Sequence, residues 1–309
     1  MSARDIEFGR LITAMVTPFH RDAGQTIDHE KAAQMARILV ANGTDTIVVS
    51  GTTGESPTLS HDEKLALFRT VREAVGTTAK VIAGTGNYNT RESIEFTHEV
   101  EAAHVADGVL LVVPYYNNPP QEGLYRHFRA IAESTSLPAM VYNVPSRTVR
   151  NMDAATTIRL ANDVPNIIGV KEATDNLDQV AEIVSGVPAN FRLWSGNDGD
   201  IFTKMAVGGY GVVSVAAHVV GRLIRQMVDA TAAGDLAEGA RLHRHLLPVA
   251  RILFPPVSPV SSPASIKAAV TLLGLDVGGL RLPMIELPHA AHEKLGEFLK
   301  GFDTDPMHA

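Results

Sequence analysis

Short apolar, β-rich runs recur along most of the chain, each followed by a stretch with helical periodicity. There are eight, covering residues 11–19, 46–51, 80–86, 108–116, 138–145, 167–174, 191–197 and 211–218. Most are almost unbroken apolar segments, such as Val109-Leu-Leu-Val-Val113 and Ala139-Met-Val-Tyr142. Such a run needs cover on both faces, which is the condition of a parallel strand in a sheet flanked by helices. The intervening stretches supply that cover. Ser60-His-Asp-Glu63 has the form of a capping box, and Leu65, Leu67, Phe68 and Val71 then give one apolar face. Eight alternating units fit an α/β fold of the closed, eight-fold parallel TIM-barrel type better than an open doubly wound sheet.

The alternation stops near residue 232. Helical segments follow at 236–253, 265–273 and 290–301, and the Pro/Ser-rich stretch 255–263 reads as an ordered loop that no helix continues through. The expectation is a catalytic barrel over 1–231 with a C-terminal helical appendage over 232–309. A net charge of −7 without Lys/Arg blocks argues against nucleic acid and anionic membranes as partners. The chain has no cysteine, which removes disulfide and thiol chemistry. Neither a signal-peptide core nor a bilayer-length apolar run is present, so a cytoplasmic protein is expected.

In a barrel of this type the chemistry sits at the C-terminal ends of the strands. Those ends are unusually polar here: Gly51-Thr-Thr-Gly-Glu55, Tyr115-Tyr-Asn117, Tyr142-Asn-Val-Pro-Ser-Arg147, Lys171 and Ser195-Gly-Asn197. Lys171 ends an apolar strand, where desolvation disfavours an ammonium and leaves the amine as a nucleophile toward carbonyl carbon. Taken alone, such a lysine could equally reach solvent or pair with Glu172. Lys80 begins its strand, and Lys204 and Lys267 fall in helical segments, so only Lys171 is placed for this chemistry.

The other motifs also have plain readings. Gly51-Thr-Thr-Gly54 is a tight turn at least, and a P-loop would need Gly-Lys-Ser/Thr after it. In function, its threonine N–H groups and hydroxyls suit a small carboxylate. Gly84-Thr85-Gly86 opens like a dinucleotide fingerprint, but Asn89 stands where the third glycine belongs. Tyr115, Tyr116 and Tyr142 could be core aromatics; beside a lysine, phenols can relay protons with a threonine hydroxyl. Arg147 suits bidentate binding of a carboxylate or could hold a surface acid. His243 and His245 diverge on a helix, and His289 and His292 lack a third ligand, so no metal site is expected.

Together these segments, with Ala14-Met-Val-Thr-Pro-Phe19, Gly169-Val-Lys-Glu-Ala-Thr174, Gly211-Val-Val-Ser-Val215 and Leu280-Arg-Leu-Pro-Met284, resemble the dihydrodipicolinate synthase family. That family belongs to the N-acetylneuraminate lyase superfamily of pyruvate-dependent class I aldolases. The resemblance spans nearly the whole chain. It implies condensation of pyruvate with L-aspartate 4-semialdehyde, in diaminopimelate and lysine biosynthesis, with no cofactor beyond a covalent imine on Lys171. Thr52, Tyr142 and Tyr116 match the family's proton relay, the last normally inserted from a neighbouring subunit. Thr53 with Thr52 matches the pyruvate-carboxylate cradle, Arg147 the arginine that holds the aldehyde substrate, and Val213 an aliphatic residue beside the lysine. Asn197 departs from a common aspartate.

A homotetramer built as a dimer of dimers is implied as well. So is an effector pocket for lysine, matched by Ser56, Pro57, His61, Lys64, Tyr88, Glu92 and Tyr115; here Tyr88 replaces a common asparagine and Lys64 a histidine. Within the superfamily, sialic acid and 2-keto-3-deoxy sugar acid lyases share the lysine and tyrosine, but tend to lack Ser146-Arg147. A barrel that binds metabolites without turnover is the reading from a different class.

Overall fold

The computed structural model describes residues 7–255, 258 and 261–308. Eight parallel strands close into one barrel in sequence order. They are β1 (Leu11–Ala14), β2 (Thr46–Val49), β3 (Lys80–Gly84), β4 (Gly108–Val112), β5 (Ala139–Asn143), β6 (Ile167–Glu172), β7 (Arg192–Ser195) and β8 (Gly211–Ser214). Each is shorter than its apolar run, because the end of the run continues as loop on the C-terminal face. Around them lie α1 (His29–Ala41), α2 (His61–Val75), α3 (Thr90–Ala103), α4 (Gln121–Ala132), the single turn α5 (Pro145–Thr148), α6 (Ala154–Asp163), α7 (Leu177–Gly186), α8 (Ile201–Ala206) and α9 (Ala217–Ala232). The capping box at Ser60 forms as expected, with Glu63 N–H donating to Ser60 Oγ and Ser60 N–H to Glu63 Oε2.

Strand parity sorts the core into layers. Val48, Leu110, Met140, Trp194 and Val213 fill the barrel interior. Ile47, Val49, Val81 and Val212 face outward into one apolar cluster with the helices, and Val109, Val141, Val170 and Leu193 into another. Both faces of the strands are therefore dry, which is why the sequence runs are continuous rather than alternating.

The C-terminal helices are α10 (Leu236–Leu253), α11 (Ser262–Leu272) and α12 (His289–Lys300). The expectation for α11 requires correction: it starts within the Pro/Ser-rich stretch, not after it. Pro263 lies in its first turn, where a missing N–H costs nothing because those donors have no intrahelical acceptor. Of the loop expected at 255–263, residues 256–257 and 259–260 lie outside the described residues. Leu242, Val249, Ile266, Val270 and Leu295 join the apolar cluster of β1 to β3 and β8, so these helices share the barrel's outer core. Among the described residues no helix is long and apolar enough to cross a membrane.

Where the first strand meets the last, a buried histidine joins the loops that follow them. Val16 N–H donates to His218 Nε2 at 3.2 Å, and His218 Nδ1 lies 2.8 Å from Val215 O. These partners specify a neutral ring with its proton on Nδ1. Burial pushes the imidazole down to about 4, against the Val215 carbonyl, which favours the charged form. Burial likewise takes His127 on α4 down to about 4. Between pH 6.5 and 4 the unfolded chain takes up these protons and the folded chain does not, so their stabilisation is complete above 6.5 and is lost as pH falls toward 4. Asp305, raised by burial to about 6, acts in the opposite direction. His218 alone then accounts for up to about 3 kcal/mol. Between pH 6.5 and 4.5 the Tm of His218→Asn should rise relative to that of the wild type, whatever its value at pH 7; parallel melting profiles would place the acid sensitivity elsewhere.

Candidate active site

Lys171 reaches the barrel interior through an irregularity in β6. On β5, Ala139 and Met140 are consecutive, but their partners on β6 are Ile167 and Gly169, so β6 carries one extra residue. Ile168 faces inward. Plain alternation from there would turn Val170 in and Lys171 out. With the extra residue Val170 joins the outer cluster, and Lys171 lies level with Tyr142 on one side and Trp194 on the other, both inner residues. Gly169 permits this: a Cβ there would sit 2.4 Å from Arg192 O and 2.5 Å from Trp194 Cζ3. The lysine is only 5% exposed, with Nζ 4.1 Å from the centre of the Tyr142 ring.

Three lysines are buried, and their surroundings differ. Lys204 Nζ donates to Glu172 O and pairs with Asp200, each at 2.9 Å. Lys267 Nζ donates to Gly279 O at 2.7 Å and pairs with Glu55 at 2.6 Å. Among the described residues Lys171 makes neither a hydrogen bond nor an ion pair, so its amine alone is uncommitted. A carboxylate nonetheless acts on it: burial raises the Asp198 carboxyl, while the Ser214 hydroxyl, the Ala216 and Val215 N–H groups and the Lys171 charge pull it down. Sequence reasoning passed over Asp198, whose only signal was its place directly after Ser195-Gly-Asn197.

Above this level opens a cavity of about 230 Å³, lined by Gly51, Thr52, Tyr115, Tyr142, Val144 and Arg147 among others. The loop after β2 forms one wall. Gly54 N–H and Ser56 N–H both donate to Gly51 O, at 3.1 and 3.3 Å, and Glu55 N–H donates to Thr52 O at 3.1 Å. Among the described residues the N–H groups of Thr52 and Thr53 have no acceptor. Two adjacent free donors of this kind make an anion-binding concavity. The close approach of the next loop depends on glycine, since a Cβ on Gly84 would lie 2.2 Å from Ser50 O.

Arg147 lies in the single turn α5, where it is exposed and lines the cavity. A polar network behind the barrel wall fixes the segment after it. Asn143 Nδ2 donates to Glu172 Oε1 at 2.9 Å and to Asn151 Oδ1 at 2.8 Å, and Met152 N–H donates to Asn143 Oδ1 at 2.9 Å. Glu172, fully buried and pushed up by burial, thus faces away from its neighbour Lys171. Val213 lies on the inner wall, two residues beyond the Gly211 that is level with Trp194. Asn197 Nδ2 donates to Asp200 Oδ2 at 3.2 Å, a contact an aspartate could not make as an anion.

Tyr116 is the exception. It is 95% exposed, with a left-handed φ of 73°, and is not brought to Lys171 within the chain. The remaining candidates gather beside the mouth. His61 Nε2 is 3.5 Å from Glu92 Oε1 and stacks on Phe96, while Tyr88 meets Tyr115 edge-on at 5.1 Å. Burial pushes Lys64 down against Glu92, and raises the Tyr115 phenol, with Tyr88 and Glu92 adding to the rise. Ser56 and Pro57 line the cavity itself. Of the histidines considered as ligands, His245 stacks on Phe302 and His243 lies against Phe202.

Comparison with known proteins identifies the family. The model of the dihydrodipicolinate synthetase family matches residues 7–301. The 4-hydroxy-tetrahydrodipicolinate synthase of Symbiobacterium thermophilum is 55% identical over 292 residues, covering 94% of this chain and 97% of the relative. Among solved structures, a dihydrodipicolinate synthase from Bacillus anthracis superposes with a TM-score of 0.91 at 43% identity, covering 96% of this chain and 99% of that one. The enzyme from Cyanidioschyzon merolae, solved with lysine bound, gives 0.90 at 43% identity, over 95% and 98% of the two chains. A buried lysine at a barrel strand end, paired donors on the loop after β2 and matches over almost the full length converge on one conclusion: the chain belongs to the dihydrodipicolinate synthetase family.

Proposed function

We propose that this chain condenses pyruvate with L-aspartate 4-semialdehyde, giving 4-hydroxy-tetrahydrodipicolinate, through an imine on Lys171. The observation that carries the reading is the uncommitted, buried Lys171 amine near a cavity lined by Thr52, on a loop with two adjacent free N–H donors. Those donors, at Thr52 and Thr53, receive the pyruvate carboxylate, which places the keto carbon toward Nζ. Nζ adds to that carbon, and water leaves as the carbinolamine collapses. The protonated imine then acts as an electron sink, a methyl proton departs, and the resulting enamine carbon attacks the aldehyde. The amino group of the second substrate displaces Lys171 by transimination, closing the ring. The Tyr142 phenol and the Thr52 hydroxyl carry the protons, joined by Tyr116 from a second copy of the chain in a dimer of dimers. Arg147 at the mouth holds the carboxylate of the aldehyde, which favours this substrate over a sugar aldehyde.

Borohydride reduction in the presence of pyruvate should leave its adduct on Lys171 and none on Lys171→Ala; mass-spectrometric mapping to another lysine would refute the mechanism. Arg147→Ala should lower kcat/KM for the aldehyde by about a hundredfold while pyruvate trapping stays near the wild-type rate. Equal losses in both half-reactions would make Arg147 a structural residue instead.

The group at Ser56, His61, Lys64, Tyr88, Glu92 and Tyr115 is read as the counterpart of the lysine-effector pocket, altered at two positions. Tyr88 fills space against Tyr115, and Lys64 adds a cation where a dicationic amino acid would enter. Millimolar lysine should therefore leave turnover nearly unchanged in a coupled assay, and strong inhibition would show that these two residues do not close the pocket.

A further inference from the structure

We infer that Lys267, on α11, is a positioning residue for pyruvate: through its buried ion pair with Glu55 it holds the loop that carries the unpaired Thr52 and Thr53 N–H groups, with Thr52 lining the cavity. The inference rests on the proposed function and concerns how its carboxylate cradle is kept in place. Each free donor shares a peptide plane with a carbonyl that is itself held. The Thr52 N–H belongs to the plane of Gly51 C=O, which accepts from Gly54 and Ser56, and the Thr53 N–H belongs to the plane of Thr52 C=O, which accepts from Glu55 N–H. The orientation of both donors therefore depends on where the backbone of residues 54–56 lies.

Glu55 fixes that backbone. Its φ is 55°, a left-handed conformation unfavourable for a residue with a side chain, so its surroundings must hold it there. They do so by burying its carboxylate completely. Lys267 Nζ meets one oxygen at 2.6 Å, and Arg281 N–H donates to the other at 3.1 Å. The lysine is anchored in turn, to Gly279 O at 2.7 Å, with its ammonium 4.1 Å above the Phe19 ring. Arg281 extends the clamp: its guanidinium donates to Thr58 O at 2.9 Å and takes Glu63 with both forks, at 2.6 and 2.9 Å. On the opposite side, Thr17 Oγ1 donates to Gly54 O at 2.7 Å. The segment just past the cradle is thus held through Glu55 by residues of the C-terminal region, and none of them touches the cavity wall at Thr52.

The test is a split between substrates. In Lys267→Met and Glu55→Gln, KM for pyruvate should rise by about tenfold and imine trapping should slow in step, while KM for the aldehyde stays within about twofold. The double variant should be no worse than the poorer single variant, because the two groups act as one unit. Should these variants fold poorly, Lys267→Arg keeps the charge at a different reach and should give an intermediate rise in pyruvate KM alone. Variants that lower Tm but leave pyruvate KM and trapping within about twofold of wild type would overturn the inference, as would equal increases in both KM values. A wild-type protein that traps no pyruvate at all would instead overturn the assigned reaction, and this inference with it.

Discussion

One inserted residue in β6 decides whether this barrel turns a lysine to its interior. Because side chains alternate strictly along a strand, a shift of one position exchanges its inner and outer faces. The extra residue at Ile168–Gly169 lets Ile168 point inward and still returns Lys171 to the interior. The same shift sends Glu172 outward, where it meets Asn143 and Gln179 and anchors the segment after Arg147. The inner and outer neighbours on β6 thus serve opposite ends of the candidate site. Only glycine is compatible with the close approach of β7 at this point.

Electrostatics then distinguishes one buried cation from two others. An unpaired ammonium in a dry interior is costly, and the usual remedy is a carboxylate within hydrogen-bond reach. Lys204 and Lys267 have that remedy, with Asp200 and Glu55. Lys171 is left with the face of Tyr142 and with Asp198, whose oxygens are occupied by Ser214 and by the N–H groups of Val215 and Ala216. A lysine bound tightly by a carboxylate is a structural cation; Lys171 has no such contact among the described residues. Burial by itself therefore does not mark the nucleophile.

The sequence discloses what is local. Continuous apolar runs predict eight covered strands, the capping box at Ser60 predicts the start of α2, and the polar strand ends locate the catalytic face. Lys171 stands out because a cation ends an apolar run. What the sequence conceals depends on distant partners or on departures from periodicity. No pattern in Asn166-Ile-Ile-Gly-Val-Lys171 announces an extra residue, and the glycine reads equally as a weak spot in a strand. The Glu55–Lys267 pair joins a loop after β2 to a helix near the other end of the chain, beyond the reach of any window. The start of α11 was legible in principle: Ser261-Ser-Pro263 is an N-terminal signature, but in a Pro-rich stretch it reads as a breaker. The turn that carries Arg147 is four residues long, too short for periodicity to show.

The depth of the groups within the site matches the order of the proposed chemistry. Thr53 and Lys171, assigned to pyruvate in the proposed chemistry, are almost fully buried. Arg147 lies exposed at the mouth. In the proposed chemistry the substrate held by exposed Arg147 is the second one, and pyruvate reacts first at the buried lysine. Leu110, Val112 and Val144 give the cavity an apolar wall, which would disfavour water beside the proposed imine. The proposed chemistry thus divides the site into a buried part for the small substrate and an exposed arginine for the second one. On that view, specificity resides in the short helical turn after β5, and the barrel interior is free to stay constant.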